Sequence, residues 1–328
     1  MKCPETGKVR REAVGWLANN PLYTQRFAFH VGRRCRKSSI KDVAKELHLH
    51  WTTVKELEIE YMKEQLRRFS RDPRPRIIGI NEISVKKGHH YRIVVSDLER
   101  RRAIWFGGKD RKEKSMDEFF KWLGPNKCKR IEYIVMDMWD PFRTSAEKEN
   151  HAPQAKILYD KFHVVKHLGE AMDEVRISEY KRLTGQNRQF IKGQKYALLT
   201  RRKNLKCKGR RSLKLLFKAN RRIYVAYLLK EQFDQIWGYK MPAWARRFFK
   251  NWRDALKWQR LKPYEKFARM IDTHWDGIEA YCELKDKIPM GFVEGFNNKI
   301  RVIQRRAYGL RDEEYLRLKV LTCMLPEI

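Results

Sequence analysis

The chain has 328 residues, room for two or three domains, and carries 74 Lys or Arg against 40 Asp or Glu, a formal net charge of +34. Its 42% hydrophobic and 12% aromatic residues allow a sizeable core, and no apolar run approaches the roughly 20 residues that span a membrane. So large a positive surplus exceeds what a mixed, solubilising surface needs and points to a polyanionic partner, nucleic acid being the commonest. Met1 to Val14 is too polar for a signal peptide. Cys3, Cys35, Cys128, Cys207, Cys282 and Cys323 are scattered without a C-x-x-C pair, which argues against a zinc finger or disulfide framework and fits a reducing cytosol.

The first region covers residues 1–72. In "SSIKDVAKELHLHWTTVKELEIEYMKEQLRR", Ser38 or Ser39 is placed to cap a short helix, with Asp42 near its positive end and Ile40, Val43, Ala44 and Leu47 at helical spacing. After "LHLH" a second helix starts around Trp51, with Val54, Leu57 and Tyr61 on one face. Two helices joined by a tight turn, the second opening on Thr, Thr and Lys, form a helix-turn-helix pattern. It would present Thr52, Thr53 and Lys55 to the major groove, and the upstream basic run "GRRCRK" to phosphates. The bland alternative is a hairpin that only packs; the net charge favours DNA.

Residues 73–166 switch to strand signals. "RIIGINEISV", "YRIVVSDL" and "AIWFGG" read as three strands with hairpin-like links. "KSMDEFFKWLGP" places Met116, Phe119, Phe120 and Leu123 on one face of a helix stopped by Gly124-Pro125. A fourth strand, "RIEYIVMDMW", delivers Asp137, a helix spans Pro141 to Glu149, and a fifth strand ends at Asp160. The order implies an α/β fold, a mixed five-stranded sheet covered by helices. One residue is out of character: Asn81 lies inside an apolar strand, where an amide without partners costs roughly 1–3 kcal/mol.

Residues 167–286 are almost wholly helical, with a basic loop at "RRKNLKCKGRRSLK" and amphipathic stretches around "RRIYVAYLLKEQFDQIWGY" and "ARRFFKNWRDALKWQ". Their aromatics at helical spacing read as core rather than base-stacking platforms. The last segment, 287–328, opens with a helix whose apolar face is Phe296, Ile300, Ile303 and Ala307. Glu294, Asn298, Arg301 and Arg305 fall at i, i+4, i+7, i+11 on a second face. One acid among several bases suggests a metal ligand flanked by phosphate clamps; a solvated charged face is the plain alternative.

Phosphodiester chemistry commonly uses two divalent ions about 3.5–4 Å apart, held by a few carboxylates, and Mg²⁺ keeps most of its own waters. Such a site needs an acid inside a first strand, an acid ending a neighbouring strand and an acid on a later helix. Asp137 and Glu294 meet the second and third needs. The first falls at position 81, where the chain has Asn.

"IGINEISVKKGHHY", "IVMDMWDPF", "YDKFHVVKHLGEAMDEVRISEY" and "VEGFNNKIRVIQRRAYGLRDEEY", spread over Ile77 to Leu321, resemble the DDE transposases of the ISL-three insertion-sequence family. The resemblance implies an RNase H-like core (73–166 and 287–328) interrupted by an α-helical insertion (167–286), behind an N-terminal helix-turn-helix. It maps the catalytic triad onto position 81, Asp137 and Glu294, and Asp160 to His163 onto a [C/D]-x-x-H element, with Asn298 a further supporting candidate; His163 equally reads as a buttress for the strand end. Two departures stand out. Only "CPETG" remains of a cysteine-rich zinc-binding start, and the family's G-I-D-E reads Gly79-Ile80-Asn81-Glu82. Glu82 is a poor substitute, because adjacent strand residues point to opposite faces.

The expected function is therefore metal-dependent cleavage and strand transfer at insertion-sequence ends, with Mg²⁺ or Mn²⁺, two ions in a site that has all three carboxylates. Activity is in question because Asn81 replaces the first Asp. The expected partners are double-stranded DNA, as terminal inverted repeats and target, and a second copy in a homodimer; the expected location is the cytoplasm, at the nucleoid. The runner-up is a catalytically dead DNA-binding protein or repressor derived from a transposase. A junction-resolving nuclease of the same fold ranks third, since it would not need the long helical insertion.

Overall fold

The computed structural model describes residues 4, 7, 14–86, 90–282, 284, 288, 291–307, 310 and 312–328. Cys3 of "CPETG" and residues 87–89 lie outside them. In chain order come α1 (Gln25–Cys35), α2 (Ile40–Glu46), α3 (Trp51–Phe69), β1 (Ile77–Lys86), β2 (His90–Asp97), β3 (Arg102–Gly107), α4 (Glu113–Leu123) and the short α5 (Pro125–Cys128). Next are β4 (Tyr133–Met136), α6 (Asp140–Ala146), β5 (Lys156–Tyr159), α7 (Lys161–Arg182), α8 (Gly185–Lys192) and α9 (Lys195–Leu199). The chain ends with α10 (Cys207–Ala219), α11 (Arg221–Phe233), α12 (Pro242–Leu256), α13 (Lys262–Thr273), α14 (Trp275–Cys282), α15 (Gly291–Arg306) and α16 (Glu313–Thr322). The strands form one mixed sheet in the order β3-β2-β1-β4-β5. β2 and β3 pair antiparallel, while β4 is parallel to both β1 and β5.

The chain divides into two compact units: Met1–Pro75, Asn81–Arg130 and Phe292–Ile328 in the first, Arg76–Ile80 and Ile131–Gly291 in the second. In the first unit, α1 is an element that sequence patterning missed, since its end was read only as a basic run. Thr24 caps it, and Gly32 lets it lie against Tyr61 of α3: an added Cβ would sit 2.2 Å from the Tyr61 ring. Ser39 caps α2 by accepting the Asp42 amide, as its position predicted. The turn to α3 places His48 at φ 54°, with Leu49 N–H donating to Ala44 O at 2.9 Å. That closure satisfies carbonyls at the end of α2 without glycine. Further along, α4 buries Met116, Phe119, Phe120 and Leu123 as predicted, with Phe119 edge-on to Trp105 at 5.7 Å.

The second unit holds β4, β5 and the helices from α6 to α14. Tyr159 at the end of β5 is buried, and α14 approaches it so closely that a Cβ on Gly277 would meet its ring at 2.4 Å. Part of the aromatic set here is core, as expected: Phe233, Phe249, Trp252, Tyr264 and Phe267 are buried, whereas Tyr196, Tyr224, Trp244 and Trp258 are exposed; Trp252 Nε1 donates to Leu229 O at 2.9 Å. One expectation is corrected. The stretch read as a basic loop is a 3₁₀ turn, Arg202–Asn204, followed by the helix α10. Leu213 and Leu216, buried at i and i+3, draw the segment onto its neighbours and make it helical. α7 runs unbroken through position 167, where the insertion was expected to start.

Candidate functional site

In the first unit, Asn81 stands on β1, half-buried, and its Oδ1 accepts the backbone N–H of Glu82 at 2.7 Å. Glu82 turns away and pairs with Arg111. Strand alternation puts Asn81, Ile83 and Val85 on one face. Ile83 joins Phe296 and Ile300 of α15, with Leu316, Val320 and Leu321, in one hydrophobic cluster, and Val85 packs against it. The face of β1 that carries Asn81 is thus the face on which α15 packs, and Gln304 adds a bond to Ser84 O at 3.1 Å. Glu294 is half-buried at the border of the buried stripe of α15, while Asn298, Arg301 and Arg305 are exposed. Ile303 and Ala307, expected on the apolar face, are only half-buried.

In the second unit, β4 buries Ile134, Val135 and Met136, and the chain leaves it at Asp137. Asp137 Oδ1 accepts the Met138 amide at 2.7 Å, and Oδ2 lies 2.9 Å from His163 Nδ1. His163 sits in the first turn of α7, whose N-cap Asp160 is buried and accepts the Phe162 amide at 2.9 Å. The two members of "DKFH" therefore do different things: Asp160 caps the helix, and His163 holds Asp137. Burial works against the Asp137 carboxylate, but the His163 hydrogen bond and charge, with the Met138 amide, hold it below its ordinary range. Burial likewise opposes a charge on His163, and Asp137 outweighs it, raising the imidazole.

The helix-turn-helix residues are partly engaged within the first unit. Thr52 and Thr53 are half-buried at the start of α3, and Thr52 Oγ1 lies 2.7 Å from His50 Nδ1. Lys55 is bound to Asp312 at 2.7 Å and lies over the Tyr315 ring. The "GRRCRK" arginines, expected at phosphates, also have protein partners: Arg33 bonds Ile328 O, Arg34 bonds Glu46 at 2.8 Å, and Arg36 bonds Leu325 O at 2.9 Å. The end of α1 faces the C-terminal segment, whose free carbonyls need donors. Patterning also missed Glu58, which is 2% exposed, accepts the Tyr315 hydroxyl, and pairs with Lys319 at 2.5 Å. Its signal was present: a carboxylate at i+4 from Val54 on the apolar stripe of α3.

A family model described as "Transposase", of the ISL3 group, matches residues 78–320, and one described as "Helix-turn-helix domain of transposase family ISL3" matches residues 12–58. The chain belongs to the ISL3 transposase family. It is 33% identical over 324 residues to the transposase for insertion sequence element IS1001 of Bordetella parapertussis, covering 97% of this chain and 78% of that one. It is 26% identical over 340 residues to the transposase for insertion sequence element IS1557 of Mycobacterium tuberculosis, covering 96% and 75%. Membership makes this an insertion-sequence transposase with a helix-turn-helix, a DNA-binding and DNA-processing protein in general terms. The transposase match opens in β1 and closes in α16, and the mixed sheet within it is the RNase H-like core. Among the described residues no helix is long and apolar enough to cross a membrane, and no group of three or more His, Cys, Asp or Glu is arranged to hold a metal ion.

Proposed function

We propose that this transposase binds the terminal inverted repeats of its own element as double-stranded DNA and is built for cleavage and strand transfer of the DDE type. Asp137 and Glu294 are its carboxylate ligands, and Asn81 occupies the position of the first Asp. Support comes chiefly from Asp137: a carboxylate at a strand end, held by His163 and kept ionised, is suited to bind a cation. The donor chemistry fits in part. Oxygen donors at Asp137, Glu294 and Asn81 suit hard Mg²⁺ or Mn²⁺, but two carboxylates offer one negative charge fewer than three. Bound ions would supply Lewis-acid stabilisation of charge on the phosphoryl oxygens, two of them where all three carboxylates are present. His163 and the Met138 amide orient Asp137, Arg301 and Arg305 hold phosphates, and Thr52 and Thr53 meet base edges or backbone in the major groove, joined by Lys55 once DNA displaces Asp312.

In this reading, residues 1–72 bind DNA, 73–166 with 287–328 form the catalytic core, and 167–286 are an insertion. Water attacks at the element end, and the freed 3′-hydroxyl then attacks target DNA, each by in-line displacement without a covalent protein intermediate. Joining two ends calls for a homodimer, acting in the cytoplasm on nucleoid DNA. The second reading is a DNA-binding protein without catalysis, such as a repressor of the element's promoter. It is favoured by Asn81, which is neutral and spends its carbonyl oxygen on the Glu82 amide.

A cleavage and strand-joining assay on element ends, first with Mg²⁺ and then with Mn²⁺, separates them. It compares this chain with Asn81→Asp and with Asn81→Asp carrying Glu294→Gln. Cutting only by Asn81→Asp, lost again in the double variant while end binding persists, is the expected result. Equal cutting by the unaltered chain and Asn81→Asp would remove position 81 from the ligand set. No cutting by any variant, despite tight end binding, would favour the repressor.

A further inference from the structure

From Tyr180 to Lys230 the chain carries 17 Lys or Arg and no Asp or Glu. The acids that bracket this stretch are already committed: Glu179 pairs with Arg182 and Arg222, and Glu231 with Lys230. The stretch centres on α10, whose 13 residues make a rod about 20 Å long at roughly 1.5 Å per residue. Leu213 and Leu216 form its buried side. Arg210, Arg211, Lys214 and Lys218 are exposed and fall within about a 100° arc on the other side, since each residue advances about 100°. None of the four is in an ion pair among the described residues.

A solvated face would explain scattered charges of both signs. It does not explain one sign alone, because Arg210, Lys214 and Lys218 stand at i, i+4 and i+8, where like charges destabilise a helix unless something screens them. An unpaired cationic face about 20 Å long suits a polyanion that carries charge along its whole length, as a nucleic-acid backbone does.

We propose that the α10 face of Arg210, Arg211, Lys214 and Lys218 is a second DNA contact of this transposase, gripping the phosphates of duplex DNA without reading sequence. The proposal rests on the DNA-binding reading above and extends it to a surface outside the helix-turn-helix. A polyphosphate grip lowers affinity evenly when weakened, whereas base readout changes the preference between sequences.

The experiment measures binding of the full chain to duplexes with and without an element end, over a salt series. It compares the unaltered protein with a variant carrying Arg210→Gln, Arg211→Gln, Lys214→Gln and Lys218→Gln. A control carries Lys114→Gln, Lys121→Gln, Lys129→Gln and Arg130→Gln, four exposed positions that remove the same charge elsewhere. Each phosphate contact contributes about 0.9 to the slope of log K against log salt. The α10 variant should lose up to about 3.6 from the slope, about 0.9 for each of its four contacts, with its preference for end DNA unchanged within about twofold, and the control should lose less than 1. Exposed Cys207, at the start of α10, also gives a photocrosslinking site in a background of Cys3→Ser and Cys323→Ser; it should crosslink to duplex DNA. An unchanged slope without a crosslink, or equal losses in variant and control, would overturn the α10 contact while leaving the helix-turn-helix reading intact. Failure of the unaltered chain to bind any duplex would bring down both.

Discussion

Replacing Glu58 tests whether α3 is locked to α16 by a buried charge. Glu58 lies on the inner face of α3 at 2% exposure, with Lys319 Nζ 2.5 Å from one carboxylate oxygen and the Tyr315 hydroxyl on the other. Glu58→Gln keeps the shape, but one partner then faces an NH₂ group instead of an acceptor, and the Lys319 ammonium loses its counter-charge. Breaking a buried pair from one side costs about 3–5 kcal/mol. Lys319 retains the Cys35 carbonyl at 3.3 Å and some access to water, so a value at the lower end, about 3 kcal/mol, is expected. That is roughly two orders of magnitude in the folding equilibrium. Urea unfolding of Glu58→Gln, Lys319→Met and a combined Glu58→Met, Lys319→Met variant gives the coupling. The combined variant should recover much of the loss, because apolar groups of similar volume often replace a buried ion pair without penalty. Single variants within about 0.5 kcal/mol of the unaltered protein, or purely additive losses, would refute the argument.

Three further outcomes are expected. In the Asn81→Asp background, His163→Ala should lower strand cleavage by about 10–100-fold, the usual effect of losing a group that orients a metal ligand, with end binding unchanged; an equal fall in binding would make His163 a folding buttress instead. Gly32→Ala should destabilise the protein by about 1–3 kcal/mol through overpacking against Tyr61, seen as a lower midpoint in urea. Glu64 is held down to about 2, first by its hydrogen bond to Arg67, against some burial, and then by Arg68. Its carboxylate is depressed on folding, so its contribution is complete above pH about 4.5 and disappears as pH falls through about 2. The melting temperature of the unaltered chain should therefore exceed that of Glu64→Gln at neutral pH by an amount that vanishes across that window, and a constant difference down to pH 2 would contradict it.

Much of this molecule was legible from local pattern. Short apolar runs between turn signals marked the five strands, whose inner residues are buried one after another, as in β3, β4 and β5, while a 3.6 period marked α4 and the pair α2–α3, each of which buries one face. Asp137 and Asp160 were readable for a related reason: an acid that ends an apolar run sits where a strand leaves the core. Asn81 was conspicuous as a polar residue inside such a run. Less was readable for α1 and α10, whose charged exposed faces hide short apolar stripes; "RRKNLKCKGRRSLK" looked like a loop because its two buried leucines are outnumbered by its bases.

Composition and spacing by themselves determined the polyanionic partner, the α/β order of elements and the acidic positions, since these depend on residue type and local repeat alone. Only tertiary structure decided which charges are spent inside the protein. Lys55 meets Asp312 across 257 residues, and Glu58 meets Lys319 across 261. His163 meets Asp137 because β5 delivers α7 beside the end of β4. Coulomb and hydrogen-bond energies depend on distance in space, which sequence separation does not report, so an arginine at a carbonyl and an arginine free for a phosphate look alike until the chain is folded.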